Sequence, residues 1–258
     1  MEEIQISGVV ITFNEEKNIR ACIESMLPIV DEVVVVDSYS KDQTQSICRE
    51  MGVRFIEHNF EGHIEQKNFA MHQAKYDYIL SLDADERVSD QMLISIKTTK
   101  QKWENSAYSF NRLNNYCGAW LKKSWYPDRK IRLWDRRKGQ WGGTNPHDKV
   151  EIARGDVKKL KGDILHYAYD DLEEHYAQVK SFAIIAAHAK FKKGKKVYFL
   201  IHVVLNPWYK FFRKYILRLG FLDGYYGLIF SAITAYLNFL KYSWLWELNR
   251  KNGKLYEC

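Results

Sequence analysis

Apolar and polar positions alternate in blocks along the first third of the chain. Residues 8–13 are an apolar, β-branched run, and Asn14-Glu15-Glu16 then opens a helical stretch to about Met26. Residues 31–37 read Asp-Glu-Val-Val-Val-Val-Asp, the pattern of a strand buried on both faces. A helix over 41–51, a short strand over 53–58, a helix over 64–75 and a fourth strand over 78–83 follow. Strands alternating with helices at these lengths predict βαβ units and a mostly parallel sheet, with ligands at the carboxyl ends of the strands. After Ser89 a helix runs to about Trp103, and the alternation then stops. Residues 106–166 are short strand-like pieces rich in Trp, Tyr, Arg and Gly, including Trp141-Gly142-Gly143-Thr144, and predict a mixed extension of the sheet with functional loops. From Asp170 the pattern is helical. The expectation is an α/β region over 1–169 and a helical region over 170–258.

A 46% hydrophobic content with only 4 prolines and 14 glycines supports a packed core without long linkers. The formal charge of +7 admits nucleic acid, an anionic membrane or phosphorylated substrates as partners. Cys22, Cys48, Cys117 and Cys258 are scattered, without a C-x-x-C pair, so neither a disulfide framework nor a zinc site is expected. The acidic start, Met1-Glu2-Glu3-Ile4, carries no apolar run of the signal-peptide kind, and a cytoplasmic working site is expected.

Three of the predicted parallel strands end in polar residues: Thr12-Phe13-Asn14-Glu15-Glu16, Asp37-Ser38 and Asp83-Ala84-Asp85-Glu86. The first turn lacks G-x-G-x-x-G, so no dinucleotide cradle is expected there. Carboxylates at that turn suit the base and ribose end of a nucleotide, where they accept hydrogen bonds from N–H and hydroxyl groups. In an extended segment Asp83 and Asp85 point the same way and can share one ligand. Paired carboxylates beside a diphosphate require a cation, and their oxygen donors select Mg²⁺ or Mn²⁺. The alternative is an acidic turn that caps the helix after Ser89.

The segments Val9-Val10-Ile11-Thr12-Phe13-Asn14-Glu15-Glu16, Val34-Val35-Val36-Asp37-Ser38-Tyr39-Ser40-Lys41-Asp42-Gln43-Thr44, Gln66-Lys67-Asn68-Phe69-Ala70 and Leu82-Asp83-Ala84-Asp85-Glu86 resemble family-2 glycosyltransferases, most closely bacterial lipopolysaccharide-core β-glucosyltransferases. The resemblance implies a GT-A fold, Rossmann-like, with a UDP-sugar donor and a divalent cation. It places Asn14, Glu15 and Asp37, with Thr12 beside them, on the uridine, Asp83 near the ribose and metal, Asp85 on the metal, and Lys67 near base and diphosphate. A base is implied in a carboxylate after a His. Here the matching pair is His147-Asp148, with Asp where the family commonly has Glu, and Asp128 and Asp135 as rivals. His166 stands where some relatives place a third metal or diphosphate ligand; a hydrogen-bonded structural histidine is the alternative. Arg132 either binds diphosphate or pairs within the sheet edge near Asp135.

Residues 190–218 concentrate Lys and Arg between Tyr, Phe and Trp, a composition that suits an anionic membrane surface. Residues 221–240 are apolar with Asp223 as their one charge and just reach the ~20 residues a span needs. A span, a buried helix and a homodimer contact all fit. No nucleic-acid motif accompanies the charge. The expected activity is inverting transfer of a hexose, glucose among them, from a UDP-sugar to a lipopolysaccharide-core or lipid-linked glycan, by a peripheral protein on the cytoplasmic face of the inner membrane. A metal-dependent nucleotidyltransferase and a non-catalytic membrane-binding scaffold are the rivals.

Overall fold

The computed structural model describes residues 3–144 and 147–251, with His147 by its main chain alone. Cys258 and the first two residues lie outside the described residues. The chain forms two compact units, Met1–Leu113 with Asp128–His166, and Asn114–Pro127 with Tyr167–Cys258.

In the first unit β1 (Ile6–Thr12) pairs in parallel with β2 (Glu32–Asp37) and β4 (Tyr78–Asp83), and β2 pairs in parallel with β3 (Arg54–Glu57). The sheet then turns antiparallel. β8 (Asp128–Asp135) joins β4 to β6 (Ala107–Tyr116), and β11 (Val157–Tyr169) pairs with β5 (Glu86–Val88), giving the order β3-β2-β1-β4-β8-β6-β11-β5. β9 (Gly139–Thr144) and β10 (His147–Ile152) form a separate hairpin. Side chains alternate across this sheet as strand geometry requires. Val10, Val33, Val35, Leu80 and Leu82 pack with Ile19, Ile23 and Met26 of α1 (Ile19–Met26) and Met92 and Ile96 of α4 (Asp90–Gln101). Val9, Val34, Val36 and Ile79 face Ala70 and Met71 of α3 (His63–Gln73) and Trp134, Trp141 and Val150. Burial on both faces is why the second strand reads as four consecutive valines.

Two helices start later than their sequence pattern suggests. α1 begins at Ile19 rather than at Asn14, and α2 (Thr44–Glu50) begins after Lys41 and Asp42. The intervening residues are used to join two turns. Asn14 donates its N–H to Ser40 Oγ (2.7 Å) and accepts from Lys41 N at Oδ1 (2.8 Å), Glu15 N donates to Thr44 Oγ1 (2.8 Å), and Glu16 N donates to Asp42 Oδ2 (3.0 Å). Asn14 and Tyr39 take left-handed backbone at φ 54° and 62° to make these turns. Asn tolerates that conformation, whereas for Tyr39 it is a strain that the surrounding bonds must hold.

The second unit is built on α5 (Leu172–Lys192), α6 (Asn206–Phe212) and α7 (Gly224–Arg250), with wide π-helical turns at Phe199–Leu205 and Arg213–Leu217. β7 (Ala119–Leu121) pairs with the end of β6 within this unit. Asp223, the charge in the apolar 221–240 stretch, ties the start of α7 to the 122–124 loop. Its carboxylate accepts from the amides of Lys122 (2.9 Å), Lys123 (3.0 Å) and Ser124 (2.7 Å) and from Ser124 Oγ (2.7 Å). Gly227 is required beside it, because a Cβ there would lie 2.0 Å from the Gly220 carbonyl oxygen. Among the described residues no single helix is long and apolar enough to cross a membrane; Phe199–Leu217 and Gly220–Arg250 meet at a 72° bend.

His175 sits in the core of this unit, stacked on Tyr169 with ring centroids 4.2 Å apart and 2.8 Å from the Tyr116 hydroxyl at Nδ1. Burial pushes its pKa down to about 4, whereas an unfolded histidine titrates near 6.5. Below about pH 6.5 the unfolded chain therefore takes up this proton first, and stability is lost progressively until both states are protonated below about 4. Thermal unfolding of the wild type should accordingly steepen its pH dependence between 6.5 and 4. In His175→Phe that component should be missing; identical slopes for the two proteins would contradict the assignment.

Candidate active site

The carboxyl ends of β1, β2 and β4 converge as expected of a parallel sheet, and α3 places three consecutive residues against three different elements there. Gln66 is fully buried, donates from Nε2 to Ser38 Oγ (3.1 Å) after β2, and meets His58 Nδ1 at 2.8 Å. Asn68 clamps the backbone of Trp141 on β9, donating to its carbonyl (2.9 Å) and accepting from its N–H (3.0 Å). Between them Lys67, only 5% exposed, bridges Asp83 Oδ1 and Asp148 Oδ2 at 2.7 Å each. Its ammonium lies 4.4 Å from the centroid of the Trp141 ring, a cation–π contact that the Asn68 clamp fixes. Lys67 is thus on the buried face of its helix.

Arg132 on β8 completes the set. One nitrogen, Nη2, donates to Asp83 Oδ2 (2.7 Å) and to the fully buried Glu86 Oε1 (2.8 Å). Arg112 on β6 reaches Glu86 Oε1 (3.3 Å) and Asp128 Oδ2 (2.8 Å). Burial alone would raise the Asp83 pKa; the charges of Lys67 and Arg132 outweigh it and hold the carboxyl well below the usual range. Burial likewise opposes the charge on Arg132, and Glu86 and Asp83 override it, raising its pKa further. Arg132 therefore pairs with the strand-end carboxylates and not with Asp135, which is bound by Arg137 at 2.8 Å.

The two aspartates of Asp83-Ala84-Asp85 do not share a partner. β4 ends at Asp83, residues 84 and 85 turn, and β5 begins at Glu86, so the alternation of an extended strand does not apply across them. Asp83 faces Lys67 and Arg132, while Asp85 Oδ2 lies 3.2 Å from Nε2 of His166, which β11 places opposite Glu86 on β5. Ser89, not the acidic residues, caps α4 by accepting from Met92 N (3.4 Å).

Among the described residues no group of three His, Cys, Asp or Glu side chains is gathered around a cation position. Asp85 Oδ1 is nevertheless buried and has no hydrogen-bond partner. An orphaned carboxylate oxygen beside an imidazole fits the two-donor protein share of a Mg²⁺ or Mn²⁺ site whose other ligands are phosphate and water. Asp83, already held by two cations, fits that role less well. Arg132 Nε and Trp141 Nε1, whose side chains meet at 5.3 Å, are also buried without partners, as is Thr12 Oγ1 at the end of β1.

The remaining expected residues sit at the first two strand ends. Asp37 receives Ser40 N (2.7 Å) and Ser40 Oγ (2.5 Å), Asn14 holds the turns together, and Glu15 Oε2 accepts from Asn18 Nδ2 (3.0 Å). Of the rivals for Asp148, Asp128 is engaged by Arg112 and Lys130. Asp135 pairs across the sheet with Tyr78, at the opposite end of β4 from Asp83, about five residues or ~17 Å away at strand spacing. Asp148 itself pairs with Lys67, and its neighbour Lys149 pairs with Glu151 instead. The side chain of His147 lies outside the described residues. Glu86, Arg112 and Trp141 belong to the site but were not singled out from sequence; the W-G-G pattern, where glycines let a backbone approach closely, was the available signal for Trp141.

Residues 7–155 match the model of the family described as glycosyl transferase family 2. The chain is 29% identical over 260 residues to an uncharacterized glycosyltransferase of Rickettsia typhi, covering 96% of this chain and 89% of that one. It is 24% identical over 251 residues to the lipopolysaccharide core biosynthesis glycosyltransferase LpsC of Rhizobium meliloti, covering 90% and 91%. Among solved structures, S. aureus TarS 1-349 in complex with UDP aligns at a TM-score of 0.49 and 17% identity over 98% of this chain and 93% of that one.

Removing one cation from this cluster exposes what it balances. Arg132→Met should destabilise the protein by roughly 3–5 kcal/mol, the usual cost of breaking a buried ion pair, in urea denaturation at pH 7.5. A loss below about 1 kcal/mol would be inconsistent with a buried charge balance.

Proposed function

The chain belongs to glycosyl transferase family 2, and on that premise we propose that it transfers a hexose from a UDP-hexose, with inversion, to a hydroxyl of a lipopolysaccharide-core or other lipid-linked glycan. The working place in this proposal is the cytoplasmic face of the inner membrane. Nucleotidyl transfer, the competing reading, falls with the family. The core acceptor draws its support from the likeness to LpsC, and the uridine donor from the polar ends of β1 and β2.

One observation carries the mechanism: Lys67 holds Asp83 and Asp148 together at 2.7 Å each. A diphosphate entering at the strand ends competes for that ammonium, and a doubly charged anion in a dry site is the stronger partner. Lys67 then turns to the diphosphate, Arg132 keeps Asp83 neutralised, and Asp148 Oδ2 has a lone pair free. The acceptor hydroxyl attacks the anomeric carbon from the face opposite the diphosphate. As its oxygen bonds to that carbon, its proton passes to Asp148, the carbon–oxygen bond to the diphosphate breaks, and UDP leaves. Asp37, Asn14, Glu15 and Thr12 hold the nucleoside at the ends of β1 and β2.

Asp85 and His166 would hold a Mg²⁺ or Mn²⁺ ion, which supplies positive charge for the departing diphosphate. The internal cations already answer the internal carboxylates, so a bound diphosphate brings negative charge that the protein alone does not offset.

Asp148→Asn preserves size and cannot accept the proton. Turnover should fall by roughly 10²–10⁴, while thermal stabilisation by UDP-hexose with Mn²⁺ persists. Asp85→Ala should abolish the metal-dependent part of that stabilisation with the fold intact. Full turnover of Asp148→Asn would refute its role as base. Absence of any donor-dependent stabilisation in the wild type would favour the non-catalytic scaffold.

A further inference from the structure

No acidic residue occurs between Glu174 and Asp223, a stretch that carries ten lysines and arginines. Within it one side of the bent helical segment is apolar and open to solvent. Ile201, Leu205, Trp208, Phe212 and Ile216 follow one another at intervals of four, three, four and four residues, the spacing of a single helical face. All five are exposed, Trp208 at 73%. A soluble protein rarely leaves so long an apolar stripe uncovered. Lys210, Arg213 and Arg218 sit beside it in the sequence.

An apolar groove of about 420 Å³ adjoins this face, lined among others by Val203, Pro207, Trp208, Phe211 and Phe239. Lys190, Lys210 and Lys241 come from three different helices to one neighbourhood: burial first, then the charges of Lys190 and Lys210, push Lys241 down to about 8. Cations crowded in this way are relieved by an anion. Exposed Arg213 and Arg218, next to the stripe along the chain, add anionic attraction to apolar insertion on this segment.

We propose that the stripe Ile201–Leu205–Trp208–Phe212–Ile216 inserts into one leaflet of an anionic phospholipid bilayer, with the flanking lysines and arginines on the lipid phosphates. A second copy of this chain, the other cover for an apolar stripe, is disfavoured by the charge: two such stripes would bring Arg213 and Arg218 of both copies together, with no carboxylate between residues 199 and 222 of either. Insertion on one side also accords with a bent pair of helices in place of a straight span. The inference needs neither donor nor metal, so its failure leaves the transferase chemistry untouched.

The full chain should float with vesicles of phosphatidylcholine and phosphatidylglycerol and much less with phosphatidylcholine alone. Raising salt should weaken the attachment without abolishing it, since screening removes the charge component only. Leu205→Glu with Phe212→Glu should lower vesicle affinity at least about tenfold, the loss expected from two apolar side chains. Both positions are exposed, so the melting temperature should be unchanged. As a check that needs no disruptive change, brominated acyl chains should quench tryptophan emission in the wild type, and Trp208→Phe should lose most of that quenching. Binding that salt removes completely and the glutamates do not affect would overturn insertion. So would a wild-type dimer in solution that the two glutamates convert to monomer without lipid.

Discussion

Charges taken out of water at the end of a sheet cost several kcal/mol each unless every one is answered, and the first unit is organised around that requirement. Lys67, Arg132, Arg112 and Lys130 face Asp83, Glu86, Asp148 and Asp128, the eight residues coming from six separate elements. The pairing explains features that otherwise look unrelated. It is why α3 carries a lysine on its buried side, why β8 brings an arginine to the carboxyl end of β4, and why the β9–β10 hairpin is clamped by Asn68 with an indole over the lysine. A cluster this tightly balanced is also responsive, because a new anion necessarily redistributes its partners.

The parallel half of the sheet was legible because burial on both faces leaves a coarse mark, and Val33-Val34-Val35-Val36 between two acids admits few alternatives. The strand-end residues were legible for a related reason: a polar group that ends a buried run has to be explained. What the sequence did not disclose is partnership. Nothing local to Asp83 and Asp85 says that a turn separates them, sending one to Lys67 and Arg132 and the other to His166. Lys67 is indistinguishable by composition from a solvated helix lysine, and only the distant Asp148, brought back by a hairpin, defines its place. Arg112 gave no signal at all, since its role depends on the β6–β8 register. The early start assigned to α1 failed because Asn14 and Glu15 bond to the turn after β2 instead of continuing a helix.

The second unit follows different physics. Its core is aromatic, with Tyr116, His175 and Phe230 in contact, and the short excursion of residues 114–127 belongs to it. Asp223, which looked like a flaw in an apolar segment, is a cap for three backbone amides. Residues 221–240, which suggested a span in sequence, follow the 72° bend and lie mostly in α7, which among the described residues is not apolar enough to cross a membrane as a single helix.

The central claim is that Lys67 exchanges a carboxylate for the donor diphosphate and thereby frees Asp148. A crystal structure of the complex with UDP and Mn²⁺ tests it most directly. The account predicts Lys67 Nζ within hydrogen-bond reach of a diphosphate oxygen, ~3.2 Å or less, with its contact to Asp148 Oδ2 broken. A diphosphate bound at the strand ends while the 2.7 Å Lys67–Asp148 pair persists would contradict it.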